Sequence, residues 1–171
     1  MKVEFLNPFI AAAASVLQQE VGTDVSRGPI RVQKGLFVSS DVTVLISLVG
    51  RVQGTVLLYM SYETAQALVS AILGQAFDAF DELAQSGIAE LANVITGLSS
   101  TKLAEVGYAS IISVPMLIIG KGSRVFTLNM ERISIPLITN VGEIGLDLAL
   151  CENPDAPVEF ASYTANVSAF T

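Results

Sequence analysis

"ELANVITGLSSTKLAEVG", residues 90–107, restates a stretch met earlier in the chain, "EFLNPFIAAAASVLQQEVG", residues 4–22. Each copy opens Glu-x-x-Asn and closes Glu-Val-Gly, and each meets a proline at one fixed distance. Asn7 to Pro29 and Asn93 to Pro115 are both separations of 22 residues. Each copy reads as a helix that leads into segments rich in β-branched residues, which read as strands. The simplest account is an internally duplicated helix-plus-strands unit, with a pseudo-two-fold axis relating the halves.

Working outward, Asn7 before Pro8 predicts a helix start: Asn caps, and proline is tolerated where its missing N–H would be unpaired anyway. On that reading Asn7→Ala costs about 1 kcal/mol. The helix runs to Gly22, a stop signal. Residues 30–38, 42–49 and 52–60 predict strands joined by short turns, hence an antiparallel meander. Ser61 caps a helix through Leu73 that Gly74 ends, and a longer helix covers about 80–106. Strands return at 110–119, 124–130, 132–139 and 143–151. The expected fold is α+β, an antiparallel sheet of about six strands with helices packed on it. Residues 1–151 form one domain on this reading, and residues 152–171 are a C-terminal tail with Pro154, Pro157 and little periodicity, expected to hug the surface or stay unstructured.

The 171 residues are 51% hydrophobic and 15% charged, enough for a sizeable core and too apolar for disorder over most of the length. No apolar run reaches the roughly 18–20 residues of a membrane span. The N-terminus makes a poor signal peptide, so a cytoplasmic location is expected. There is no histidine, and Cys151 is the only cysteine. Disulfide frameworks, thiolate zinc sites and histidine-based triads are therefore excluded, and no metal site is expected on this chain. The net charge of −7 argues against a nucleic-acid partner. Any catalysis must come from carboxylates, amides and hydroxyls, with the help of groups on a partner.

Those groups collect on one stripe of the long helix. At about 100° per residue, Ser86, Glu90, Asn93 and Gly97 fall within roughly 60° of one another. The face predicted to be buried is a different one, formed by Ile88, Leu91, Ala92, Ile95, Leu98 and Leu103. The stripe is thus expected to face solvent, where Gly97 would let another protein's backbone come close. A Glu and an Asn three apart on a solvated face are commonplace, so the pair gains weight only from Ser86, Gly97 and the fixed distance to Pro115.

With those terms the chain resembles the CheC/CheX/FliY chemotaxis phosphatases. Ser86-x3-Glu90-x2-Asn93 followed by Pro115 matches their signature, and the opening "VEFLNPFIAA" is similar to the start of CheX-type members. The resemblance covers most of residues 1–150 and leaves the tail unmatched. It implies hydrolysis of the aspartyl phosphate on a CheY-like receiver domain, with Mg2+ held by the receiver and no cofactor on this chain. It also implies that Asn93 orients the attacking water, that Glu90 pairs with a receiver lysine, and that the chain forms a homodimer. CheC-type members use both copies of the motif and CheX-type members use one. Since Asn7 is expected to cap and Glu4 lies outside the helix, Glu4 and Asn7 are read as a degenerate second copy.

Other residues have blander readings. Pro115 bends or terminates the start of a strand. Ser86 either contacts the receiver or merely caps and solvates its helix. Cys151 is an inert, partly buried strand residue, and Asp78, Asp81 and Glu82 are solvated charge at a helix N-terminus. Two rival functions stand beside the phosphatase: a non-catalytic receiver-binding module, and a flagellar-switch-like structural role.

Overall fold

The computed structural model describes residues 2–77, 79–127 and 130–156. After a single 3-10 turn, Val3–Phe5, the chain forms α1 (Leu6–Val21) and five strands: β1 (Ser26–Arg27), β2 (Arg31–Gln33), β3 (Phe37–Val38), β4 (Val42–Gly50) and β5 (Val52–Met60). Helix α2 (Tyr62–Leu73) then precedes α3 (Glu82–Glu105). Five more strands follow: β6 (Ser110–Ile112), β7 (Met116–Ile119), β8 (Arg124–Val125), β9 (Arg132–Thr139) and β10 (Gly142–Glu152).

The strand order makes the duplication explicit. The main sheet runs β1-β9-β10-β5-β4-β6, with β2 continuing β1 along β9 and β7 continuing β6 along β4, and every pairing is antiparallel. Exchanging β1, β2, β4 and β5 for β6, β7, β9 and β10 turns this order into its own reverse. The pseudo-dyad passes between β5 and β10. Strands β3 and β8, which correspond under the same exchange, pair with each other in a separate two-stranded sheet. There are thus six strand positions in the main sheet, the outer two of them broken.

Each break is a bulge at the same place. Between the pairs Met116–Leu45 and Ile112–Leu48, the outer strand uses one residue more than β4. Between Arg31–Ser134 and Arg27–Leu137, the outer strand likewise uses one residue more than β9. Pro115 and Pro29 lie in these two interruptions, where a residue without an N–H removes nothing from the ladder. The uninterrupted strand expected over 110–119 is therefore corrected. The strand expected over 30–38 is corrected for a different reason: β2 ends at Gln33, and the chain turns away at Gly35, whose φ is +79°, to place Phe37 in the small sheet. Of the strand expected at 124–130, β8 covers Arg124–Val125, and residues 126, 127 and 130 are not strand; residues 128 and 129 lie outside the described residues.

The helices cover one face of the sheet. Phe9, Val16 and Leu17 of α1, Leu68 and Val69 of α2, and Ile88, Leu91 and Ile95 of α3 meet alternate strand residues such as Ile46, Leu58, Ile135 and Leu146 in one buried cluster. Strands β4 and β5, which would invite aggregation as open edges, lie inside the sheet.

The opposite face carries a buried polar cluster under the small sheet. Arg132 Nη1 donates to Asp147 Oδ2 at 2.8 Å, with side-chain exposures of 5% and 3%. Tyr59 Oη donates to Asp147 Oδ1 at 3.2 Å, and Phe37 of β3 packs edge-on to Tyr59 and beneath the Arg132 guanidinium. Burial pushes the Asp147 carboxyl above its ordinary range, against the pull of Ser134, Arg132 and Tyr59. The attraction is thus largely offset by desolvation, and its chief effect is to penalise loss of either partner. Gly145 admits this arrangement, because a Cβ there would overlap the Tyr59 ring.

Local signals set two of the three helix starts, Ser61 in the capping role expected of it and Asp81 in one beyond the solvated charge expected there. Ser61 Oγ accepts from Thr64 N at 3.2 Å, and Asp81 Oδ1 accepts from Ala84 N at 2.9 Å. Asp81 thus caps α3, with Glu82 in its first turn; Asp78 lies outside the described residues. Gly22 and Gly74 close α1 and α2 in the left-handed conformation, at φ 69° and 65°. The third start is corrected. The residue preceding α1 is Phe5, with no side-chain cap, and Asn7 is already helical and exposed. The 3-10 turn runs straight into α1, so no extended residue is left for a cap. Asn7→Ala is accordingly expected to change stability by no more than about 0.5 kcal/mol in chemical denaturation, the range of an ordinary surface substitution. Residues 157–171, most of the predicted tail, lie outside the described residues.

Candidate functional site

Helix α3 presents its polar stripe because its other faces are occupied. Ile88, Leu91, Ala92, Ile95 and Leu103 are buried as predicted, and Leu98 is half-buried against the core. Three hydroxyls that the sequence reading passed over are also inside. Thr96 and Ser99 donate to the carbonyls one turn back, of Ala92 and Ile95, at 2.8 and 2.7 Å. Ser100 donates to the Ser110 carbonyl at 2.8 Å, tying α3 to the start of β6. These bonds let small polar residues go inside without an orphaned group. With α1 and α2 both packed against it, α3 is a rigid platform.

On the remaining face Ser86 and Glu90 are exposed, and Asn93 and Gly97 are half-buried. Glu90 and Asn93, at i and i+3, have Cβ atoms about 5–6 Å apart. Among the described residues, neither side chain makes a hydrogen bond or an ion pair, so both heads are free for a partner. Gly97 lies near β6: a Cβ there would sit 3.7 Å from Ile112 Cδ1, an ordinary contact. Among the described residues, nothing therefore requires glycine at 97. Leu83 and Val94, 53% and 42% exposed, flank the stripe. Both could have been found as apolar residues that a helical projection places toward water.

The first copy is arranged differently. Glu4 sits in the 3-10 turn, and its Oε2 accepts from Tyr108 Oη at 3.3 Å, while Lys2 Nζ donates to that same hydroxyl at 3.2 Å. Asn7, on the next turn, is exposed and has no described side-chain partner. The two copies of Glu-x-x-Asn thus sit on different elements, one on α3 and the other at the head of α1. Pro115 is half-buried in its bulge, next to Val114, which is 84% exposed. Cys151 is a half-buried free thiol on β10, with Gln53 Nε2 at 3.8 Å. Among the described residues no three His, Cys, Asp or Glu side chains gather as a metal ion would need, and no helix is long and apolar enough to cross a membrane.

This stripe holds no histidine, cysteine or lysine to serve as an activated nucleophile or strong base. What it offers is an exposed carboxylate and a half-buried carboxamide one turn apart on a packed helix, neither with a described partner. Chemistry at such a face needs its reacting bond brought in by another molecule.

Comparison with known proteins bears on the family and the fold. The family model described as chemotaxis phosphatase CheX matches residues 42–137. The CheY-P phosphatase CheX of Thermotoga maritima is 25% identical over 126 residues, which is 73% of this chain and 81% of that protein. The crystal structure of the chemotaxis protein CheX from Desulfovibrio desulfuricans superposes with a TM-score of 0.77 at 25% identity, covering 88% of this chain and 100% of the other. The CheX–CheY–BeF3–Mg2+ complex from Borrelia burgdorferi shares the fold, with a TM-score of 0.76 at 24% identity, covering 88% of this chain and 100% of that one.

Proposed function

Because the chain belongs to the chemotaxis phosphatase CheX family, we propose that it hydrolyses the aspartyl phosphate of a CheY-like receiver domain through Glu90 and Asn93. It is a phosphatase of the CheX type. The observation that carries the assignment to these residues is that α3 presents an exposed Glu90 and a half-buried Asn93 one turn apart, neither with a described partner of its own.

The chemistry suits so spare a site. Hydrolysis of an acyl phosphate needs a water in line with the breaking bond between phosphorus and the aspartyl oxygen; the aspartate leaves as a carboxylate. Phosphoryl transfer of this kind is governed by positioning and electrostatics. Mg2+ on the receiver supplies charge neutralisation. Asn93 supplies alignment: its carboxamide oxygen accepts a hydrogen bond from the water and holds it on the attacking side. Glu90 pairs with a receiver lysine and fixes the register of the two proteins. A chain without histidine can be an enzyme because half of the site arrives with the substrate. The Thermotoga maritima relative, named a CheY-P phosphatase, and the fold shared with a CheX solved in complex with CheY support this reading.

A homodimer, implied by the same family membership, is part of the proposal. Light scattering of the purified chain should return twice its mass. Gly97 is proposed as the point where the receiver backbone comes close. Gly97→Ala should then stabilise the free chain by up to about 1 kcal/mol, as alanine for glycine within a helix does, and yet raise KM for the phosphorylated receiver. An unchanged KM would remove Gly97 from the interface. The test of the function itself is to follow loss of the acyl phosphate from phosphorylated receivers in Mg2+, with and without this chain. Acceleration is expected, and its absence with every receiver of the same cell would favour a non-catalytic binding module.

A further inference from the structure

Beside Glu90 the surface opens into a groove of about 160 Å³ between the three helices. Val16 of α1, Ile72 and Leu73 of α2, and Leu91 and Val94 of α3 form its walls, which are almost wholly apolar. The volume is close to that of the apolar cavities of ~150 Å³ that take up a benzene molecule. It therefore suits one branched aliphatic or aromatic side chain. Leu73 and Val94 are both 42% exposed, so the free protein leaves this apolar surface facing water.

The rim has one sign of charge. Glu20 and Glu90 both line the groove, and among the described residues neither is in an ion pair. The last turns of α1 and α2 end here, and neither carries a basic residue. Helix C-termini bear roughly half a negative charge, so a carboxylate such as Glu20 is placed where the helix disfavours it and a cation would be favoured. A local rule broken without a partner inside the chain points to a partner outside it.

We propose, building on the phosphatase reading above, that this groove is the second half of the receiver-docking surface. It takes an apolar side chain of the receiver that is flanked by a lysine or arginine, the cation lying against Glu20 and the helix ends. Glu90 lines the groove wall and also belongs to the catalytic stripe, so one docking event engages both. The stripe supplies the chemistry and the groove supplies affinity and the choice of receiver. Asn93 is the catalytic residue; Leu73 and Glu20 are specificity-determining residues that touch no reacting atom.

The experiment measures binding of a beryllofluoride-activated CheY-like receiver from the same cell by calorimetry, together with hydrolysis of the phosphorylated form. Leu73→Glu puts a charge into the apolar wall at an already exposed position and should weaken binding about tenfold or more, with the rate at saturating receiver unchanged. Leu73→Met should bind like the parent. Glu20→Gln should weaken binding and flatten its dependence on ionic strength. Asn93→Ala, assayed alongside, should bind normally and fail to hydrolyse. If Leu73→Glu and Glu20→Gln bind as the parent does, the groove is not the docking surface, whatever Asn93→Ala shows. If they lose binding while Asn93→Ala still hydrolyses at the parent rate, the groove stands and the assignment of Asn93 falls. A parent chain that binds no receiver overturns both.

Discussion

Replacing Asn93 with alanine will slow hydrolysis of the receiver's aspartyl phosphate by about a hundredfold or more, the scale on which misplaced reactants lose rate. The loss will appear in kcat, with KM nearly unchanged, since Asn93 is assigned to the attacking water and Glu90 to the partner. The same substitution should make the free chain slightly more stable. Asparagine is a poor helix former, and alanine in a helix interior gains up to about 0.7 kcal/mol. Asn93 is half-buried and makes no described hydrogen bond that the change would break. A rate that falls while Tm rises is the signature of a residue kept for its chemistry at a cost to the fold. A merely structural residue would lower both.

The largest effect on stability lies on the other face of the sheet. Asp147→Ala leaves the Arg132 guanidinium buried and uncompensated, since its remaining described acceptor is the Leu36 carbonyl at 3.2 Å. One nitrogen of that guanidinium, Nε, already has no partner among the described residues. Removing one member of such a pair costs about 3–5 kcal/mol, whereas replacing both by apolar residues of similar size can be close to neutral. Asp147→Ala should therefore lower Tm by roughly 10 °C, and Arg132→Met combined with Asp147→Leu should recover most of that. Urea denaturation of the two variants checks it. A single variant as stable as the parent would mean that the cluster adds nothing to the fold.

The two features that decide the reading were legible in the sequence for different reasons. The duplication shows as a repeated Glu-x-x-Asn, a repeated Glu-Val-Gly and a repeated distance to proline. The structure gives that distance a cause, because Pro29 and Pro115 fall in the twin bulges that break the outer strands. The stripe was legible because helical periodicity alone assigns Ile88, Leu91 and Ile95 to one side and Glu90 to another. What was not legible depends on tertiary contacts. Asn7 has the local chemistry of a cap, but the preceding turn absorbs the helix start. Thr96, Ser99 and Ser100 are polar letters that become core once their hydroxyls bond backward to the helix or across to β6. Arg132 and Asp147 are distant charges on strands that only the pairing of β9 with β10, and the small sheet above them, make into a buried pair. The groove beside Glu90 depends on the convergence of three helix surfaces, and no periodicity within one helix announces it.

The most direct measurement compares the parent chain, Asn93→Ala and Asn7→Ala in one assay: decay of the aspartyl phosphate on a phosphorylated CheY-like receiver in Mg2+. The parent and Asn7→Ala should accelerate decay equally, and Asn93→Ala should return it to the rate of the receiver alone. Acceleration that survives Asn93→Ala, or that is lost with Asn7→Ala, would contradict the account.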